Sequence, residues 1–226
     1  MDSKELAKYI DHTLLKAEAT SAQIKQLCKE AKEHGFAAVS INSRWVPMAA
    51  DLLARSGVKV GAVVSLPLGG DSTKAKVAAA REAILDGADE IDMVADLASI
   101  IDEDGKFFAK QLRDVKQVCH AMRPPVTFKV ILETAVLTQE QKIFACHVAS
   151  LVCVDFVKTS TGMHPAGGAT IEDVKLMTEY APNCKVKAAG GIRTAQQALA
   201  MIEAGADRIG TSAGVQIIEQ LNSEQG

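Results

Sequence analysis

Apolar positions along the chain follow two alternating patterns, short runs typical of buried strands and longer stretches with helical spacing. About eight runs rich in Val, Ile and Leu predict strands near residues 9–13, 37–41, 59–65, 90–94, 126–132, 152–158, 185–189 and 208–210. Amphipathic stretches between them predict helices over residues 22–34, 74–85, 107–122, 139–149, 171–180 and 195–204. We therefore expect strands and helices to alternate along the chain.

Glycine follows the helical stretch directly at four helix-to-strand joints: Gly35, Gly57, Gly87 and Gly205. Glycine supplies the left-handed conformation that ends many helices without a Cβ clash. Parallel strands need helical crossovers, and closing them into a barrel removes their exposed edges. A chain of 226 residues suits one such barrel. We expect an α/β fold, a single (β/α)8 TIM barrel over residues 1–226, with a doubly wound open sheet as the alternative.

Charge and cysteine usage limit the classes of partner. A net charge of −3 gives no reason to bind nucleic acid or an anionic membrane surface, since both normally need a concentrated basic face. Five scattered cysteines without a Cys-x-x-Cys spacing indicate neither a disulfide framework nor a zinc site. No apolar run approaches membrane-spanning length. We expect a cytoplasmic protein that binds a small molecule.

Two lysines occupy positions where lysine is unusual, at the predicted ends of apolar strands. Lys158 closes the run Leu151 to Val157, and Lys187 precedes Ala-Ala-Gly-Gly. Burial disfavours a charged ammonium, and a second cation nearby lowers the pKa of the first further. A lysine kept neutral in this way can attack a carbonyl carbon. The pair therefore predicts Schiff-base chemistry.

Asp92 and Lys129 also lie within apolar strands. Asp155 is three residues before Lys158 and should point to the opposite face of the strand, whereas Asp92 could face the same barrel interior. Asp92 is then either a counter-ion of the lysines or a proton-transfer group, and the two roles can coexist. For Lys129, pairing with Glu133 or another carboxylate is as well supported as a catalytic role, and we count it among the expected substrate-binding residues.

Three loops after the last predicted strands are small, polar and rich in glycine. Such loops open onto helix N-termini, where free N–H groups and the helix dipole favour an anion. Any one loop could be an ordinary turn, but three together indicate a phosphate site. Its expected members are Gly162, Gly190, Gly191, Gly210 and Ser212.

Asp11 and Thr13 should point the same way on the first strand, where they could meet substrate hydroxyls; helix capping is the alternative. No two histidines have ligand spacing, which weakens a metal-dependent mechanism.

These segments together resemble the deoxyribose-phosphate aldolases. The resemblance spans nearly the whole chain and rests on Asp11-His-Thr-Leu-Leu15, Glu90-Ile-Asp-Met-Val94, Phe128-Lys-Val-Ile-Leu-Glu-Thr134, Asp155-Phe-Val-Lys-Thr-Ser-Thr-Gly162, Val186-Lys-Ala-Ala-Gly-Gly-Ile-Arg193 and Gly210-Thr-Ser212. It implies a class I aldolase without metal or cofactor, acting on a sugar phosphate and aldehydes, and a homodimer or larger homo-oligomer. The expected reaction is reversible cleavage of 2-deoxy-D-ribose 5-phosphate to D-glyceraldehyde 3-phosphate and acetaldehyde.

The resemblance also implies roles for single residues. Lys158 matches the Schiff-base lysine, Lys187 the lysine that lowers its pKa, and Asp92 a proton-relay acid. The glycine-rich loops match the phosphate site, and Asp11 and Thr13 match a pair that faces substrate hydroxyls. A transaldolase-like transferase, a sugar-phosphate isomerase and a non-catalytic sugar-phosphate binding protein are the alternatives, because fold alone does not choose between them.

Overall fold

The computed structural model describes residues 1–225, in which eight parallel strands close into a barrel. Strand β8 pairs with β1 to complete it. The strands are β1 Ile10–Leu14, β2 Ala38–Asn42, β3 Lys59–Val64, β4 Glu90–Val94, β5 Thr127–Ile131, β6 Phe156–Lys158, β7 Lys185–Ala189 and β8 Arg208–Thr211. The helices are α1 Ser3–Ala7, α2 Ser21–His34, α3 Val46–Leu53, α4 Thr73–Leu85, α5 Leu97–Ile101, α6 Gly105–His120, α7 Gln139–Val152, α8 Ile171–Tyr180, α9 Ala195–Glu203 and α10 Gly214–Gln225.

This architecture confirms the predicted (β/α)8 barrel and rejects the open sheet, because a closed order of strands leaves no sheet edge. The assignment of residues 1–226 to one domain stays a prediction, and Gly226 lies outside the described residues.

Local sequence signals explain where the helices begin and end. A capping box at Thr20 begins α2, and Gly35 ends it with a φ of 66°. All four glycines at the predicted joints have positive φ. The structure adds α1, α3, α5 and α10 to the six helices expected from the sequence.

Strand β6 is shorter than predicted. Helix α7 continues to Val152, and Cys153 ends it in the left-handed conformation, so β6 begins only at Phe156. The apolar residues that suggested a strand from residue 152 belong to the end of the helix and to the turn after it. A short apolar run can be helix or strand, and periodicity alone does not decide.

Alternation along the strands places charge inside the barrel. In β4, Ile91 and Met93 belong to the hydrophobic core, whereas Glu90 and Asp92 take the opposite side of the strand and reach charges from other strands. Such packing lets the interior hold ionisable groups within a few ångströms of one another.

Candidate active site

A buried network of charges surrounds Asp92 in the barrel interior. Its Oδ2 accepts hydrogen bonds from Lys158 Nζ at 3.0 Å and from Lys187 Nζ at 2.8 Å. Its Oδ1 accepts from Lys129 Nζ at 2.9 Å. Asp92 lies in the middle of β4. Lys187 lies in the middle of β7, although the sequence suggested a strand end, while Lys158 does close β6. Three strands thus deliver three ammonium groups to one carboxylate.

Further carboxylates and a guanidinium extend the network towards β1 and β8. Asp11 Oδ2 lies 2.5 Å from Lys187 Nζ. Arg208 donates to Asp11 and to Glu90, and Glu90 also accepts from Lys129. Apart from Arg208, which is partly exposed, every member is buried.

Charge balance in this network favours a neutral Lys158. The network holds three carboxylates, those of Asp11, Glu90 and Asp92. The network also holds four basic side chains, so one is left over after pairing: Lys129, Lys158, Lys187 and Arg208. An uncompensated buried charge is costly, and a lysine can avoid that cost by losing its proton.

The local electrostatics identify Lys158 as the basic group that is easiest to deprotonate. Burial lowers its pKa to about 8; Asp92 opposes the shift and the ammonium of Lys187 reinforces it. Lys129 behaves in the opposite way, because Asp92 and Glu90 outweigh its burial and raise its pKa. A neutral amine is therefore accessible at Lys158 near neutral pH, as the sequence predicted.

The two carboxylates nearest Lys187 remain ionised. Burial alone would raise the pKa of Asp92, but Lys129, Lys187 and Lys158 hold it well below its usual value. Burial is likewise outweighed at Asp11, whose pKa is lowered by Lys187 and Arg208. Both carboxylates lie within hydrogen-bond distance of Lys187 Nζ.

A cavity of about 310 Å³ opens at the carboxyl ends of the strands, and Lys158 is the member of the charge network that lines it. Four of the predicted phosphate-loop glycines line it too, with Ser212 and Thr13. Those glycines are Gly162, Gly190, Gly191 and Gly210. The cavity therefore joins a deprotonatable lysine to three glycine-rich loops.

The loop geometry suits an anion. Gly162, Gly190 and Gly191 have φ of +77°, +94° and +83°, which side chains with a Cβ rarely adopt. In the described part of the chain, their N–H groups donate to no protein acceptor. The Gly190–Gly191 loop precedes α9 and Ser212 precedes α10, so the cavity lies beside the loops that lead into these two helices.

Gly210 has an additional role below the cavity. A Cβ added there would stand 3.1 Å from Lys187 Cε and 2.9 Å from Ala189 Cβ. Glycine therefore leaves room for the Lys187 side chain to reach Asp92.

Over residues 1–225, no group of three or more His, Cys, Asp or Glu side chains is arranged to hold a metal ion. None of the helices described is both long and apolar enough to cross a membrane.

Comparison with known proteins identifies the family. Residues 5–220 match the model of the DeoC/LacD family of aldolases. The chain belongs to this family. It is 52% identical over 222 residues to the deoxyribose-phosphate aldolase of Aciduliprofundum boonei, covering 98% of this chain and 99% of that protein. The enzyme of the same name from Thermococcus kodakarensis is 49% identical over 227 residues, covering 99% and 100%.

A solved structure extends the likeness to three dimensions. The tetrameric deoxyribose phosphate aldolase of Aeropyrum pernix superposes with a TM-score of 0.90 at 29% identity, covering 99% of this chain and 93% of that chain.

The structure of this DeoC/LacD aldolase separates two residues that the sequence grouped. Thr13 lines the cavity, and its hydroxyl donates to the Asp11 carbonyl at 2.8 Å. The Asp11 carboxylate is 1% exposed and is bound within the charge network. Contact of either residue with substrate stays a prediction.

Sequence reasoning missed several charged residues of this aldolase. Glu90 and Arg208 complete the buried network, and Lys16 and Arg193 line the cavity. Glu90 could have been found by the alternation that identified Asp92, because the two share one face of β4. For Arg208, the sequence contains no feature that predicts membership of the charge network, apart from its place at the start of a strand.

Proposed function

We propose that this aldolase reversibly cleaves 2-deoxy-D-ribose 5-phosphate to D-glyceraldehyde 3-phosphate and acetaldehyde through a Schiff base on Lys158. The observation that carries the proposal is the position of Lys158, whose pKa falls to about 8 and whose side chain lines the cavity beside the glycine-rich loops. The relatives named deoxyribose-phosphate aldolase support the choice of substrate.

In the cleavage direction, neutral Lys158 attacks C1 of the open-chain sugar, and loss of water gives an iminium ion. The C3 hydroxyl loses its proton, the C2–C3 bond breaks, and its electrons move into the iminium to form an enamine. The three-carbon aldehyde phosphate leaves. Protonation of the enamine at C2 and hydrolysis then release acetaldehyde and return Lys158 to its amine form.

In these reaction steps, Asp92 serves as a base and Lys187 as a cation. Asp92 remains a carboxylate next to Lys158, so it can take up the proton of the C3 hydroxyl, directly or through a water. Lys187 disfavours a positive charge on Lys158 by repulsion, and its own Nζ is paired with Asp92 and Asp11. The counter-ion and proton-transfer roles of Asp92 are compatible.

The loops after β6, β7 and β8 hold the 5-phosphate. Free N–H groups at Gly162, Gly190 and Gly191 supply positive potential, and Lys16 and Arg193 line the same cavity. Such a site fixes the phosphate end of the sugar while its C1 meets Lys158.

An isomerase or a passive binding protein would have no use for a desolvated, deprotonatable lysine paired with a second lysine. The discriminating experiment is reduction with cyanoborohydride in the presence of acetaldehyde, followed by peptide mass spectrometry. We expect an ethyl group on Lys158. Exposed lysines also become ethylated under these conditions, but slowly, so the rate at each lysine is compared. The Lys158→Met variant should lose the fast site, and Lys129→Met serves as the matched control that retains it. Ethylation of Lys158 no faster than that of exposed lysines would refute the assignment.

We further propose that the chain assembles into a homo-oligomer, as the Aeropyrum pernix relative is described as tetrameric. Light scattering coupled to gel filtration tests this, and a monomer at assay concentration contradicts it. The cytoplasmic location stays a prediction from the sequence.

A further inference from the structure

Two cysteines share a surface groove at the opposite end of the barrel from the cavity. Cys153 is exposed and Cys184 is partly buried, whereas Cys28, Cys119 and Cys146 are buried. A groove of about 460 Å³ between the starts of β5, β6 and β7 is lined by Cys153 and Cys184 together. The two thiols are thus open to the same small molecules in solvent.

Hydrogen bonds hold the segment around Cys153 and the segment around Cys184 side by side. Before the cysteines, Asn183 N donates to Ser150 Oγ at 3.3 Å. After them, Lys185 N donates to Asp155 O at 2.9 Å, which begins the pairing of β6 with β7. Along the chain, both cysteines lie between these two hydrogen bonds. The cysteines thus lie in the two turns that lead into the neighbouring strands β6 and β7.

The Cys184 thiol is harder to ionise than a free thiol. Burial raises the pKa of Cys184 to about 12; Cys153 adds to the rise, and Lys116 opposes it.

We propose that Cys153 and Cys184 form a reversible disulfide, a redox modification that ties the entry of β6 to the entry of β7. This goes beyond the aldolase reaction. Cys153 precedes Lys158 by five residues and Cys184 precedes Lys187 by three, so the link joins the strands that carry both lysines. Because the amino-terminal end of a barrel carries stability more than chemistry, the link strengthens the fold and leaves turnover intact.

The chemistry balances with a small disulfide such as oxidised glutathione. The Cys153 thiolate attacks one sulfur of the reagent and releases one reduced glutathione, leaving a mixed disulfide. The Cys184 thiolate then attacks the Cys153 sulfur and releases the second. Two protein thiols lose two protons and two electrons, and the reagent gains both. The raised pKa of Cys184 makes the second step faster as the pH rises.

The test uses the full chain, reduced, desalted and exposed to oxidised glutathione at several pH values. A Cys146→Ala background is needed because Cys146 and Cys153 fall in the same tryptic peptide, residues 143–158. We expect that peptide to be linked to the peptide of residues 176–185. Adding Cys184→Ser should stop the reaction at a glutathione adduct on Cys153.

Two functional readouts complete the test. Closing a loop of this length should raise Tm by on the order of 5–10 °C, while kcat/KM stays within about twofold. Dithiothreitol should reverse both the link and the shift in Tm. A glutathione adduct on Cys153 that persists equally with and without Cys184 would overturn the proposal, as would a linked protein with unchanged Tm.

Discussion

Replacing Lys187 with Met removes the cation proposed to keep Lys158 neutral, and it should move the acid limb of the pH profile upwards. Both ammonium groups touch the same Asp92 oxygen, at 3.0 and 2.8 Å, so their nitrogens are no more than about 6 Å apart. At that distance and an effective dielectric constant of about 20, their repulsion is worth about 3 kcal/mol. That corresponds to roughly 2 pK units, so we expect a shift of about 1–2.

The assay is kcat/KM for 2-deoxyribose 5-phosphate between pH 6 and 10, which reports ionisation of the free enzyme. With the pKa of Lys158 at about 8, roughly a tenth of the enzyme carries a neutral amine at pH 7. An upward shift should lower activity at pH 7 by about 10–100-fold and restore much of it at high pH. Simple damage to the fold would lower activity at every pH.

Lys129→Met is the matched control, because it also removes a buried ammonium that contacts Asp92. Lys129 bonds to the other carboxylate oxygen and ranks below Lys187 in its effect on Lys158. We expect the acid limb of the pH profile to move less in Lys129→Met than in Lys187→Met. An unshifted limb in Lys187→Met, or an equal shift in the control, would refute the assigned role of Lys187.

Three further predictions follow from the site and its surroundings. Gly210→Ala should lower kcat about tenfold or more, because the new Cβ displaces Lys187; steady-state kinetics at the pH optimum measures this. Ser212→Asp should raise KM for the phosphorylated sugar about tenfold or more and leave unphosphorylated 2-deoxyribose unaffected, since a carboxylate at the loops repels phosphate. Lys76 is wholly buried and, like Lys158, has its pKa lowered to about 8, so the folded chain sheds protons there before the unfolded chain does. The free energy of unfolding should therefore gain about 3 kcal/mol from Lys76 as pH rises from 8 towards 10.5. This gain should be lost in Lys76→Met. Urea unfolding at both ends of that pH range measures it.

Strand alternation explains why much of the site could be predicted from the sequence. It separated Lys158 from Asp155, and the structure has Asp155 accepting from His120 Nε2 at 2.9 Å and from Phe128 N at 2.8 Å instead. The same rule placed Asp92 inside with the lysines. A period of two residues is an intrinsic property of a strand, so it holds whatever the tertiary context.

Contacts between strands depend on tilt and stagger, which a single sequence does not contain. Lys129 pairs with Glu90 and Asp92, and Glu133 is not its partner. Glu133 lies beyond the end of β5 with a φ of 54°, and its carboxylate accepts from Thr161 Oγ1 at 2.5 Å.

Asp92→Asn tests whether this carboxylate acts as a counter-ion, as a proton-transfer group, or as both. Its charge raises the pKa of Lys158, so an amide should move the acid limb of acetaldehyde trapping to lower pH, opposite to Lys187→Met. At a pH where trapping is complete in both proteins, any further loss of cleavage measures proton transfer. General base catalysis is worth about 10²–10⁴-fold. Removing one partner from a buried ion pair typically costs about 3–5 kcal/mol, so folding must be verified by urea titration. If the rate of cleavage falls no further than the rate of trapping, Asp92 has the counter-ion role alone. If the acid limb moves to higher pH, the electrostatic argument for Lys158 is contradicted.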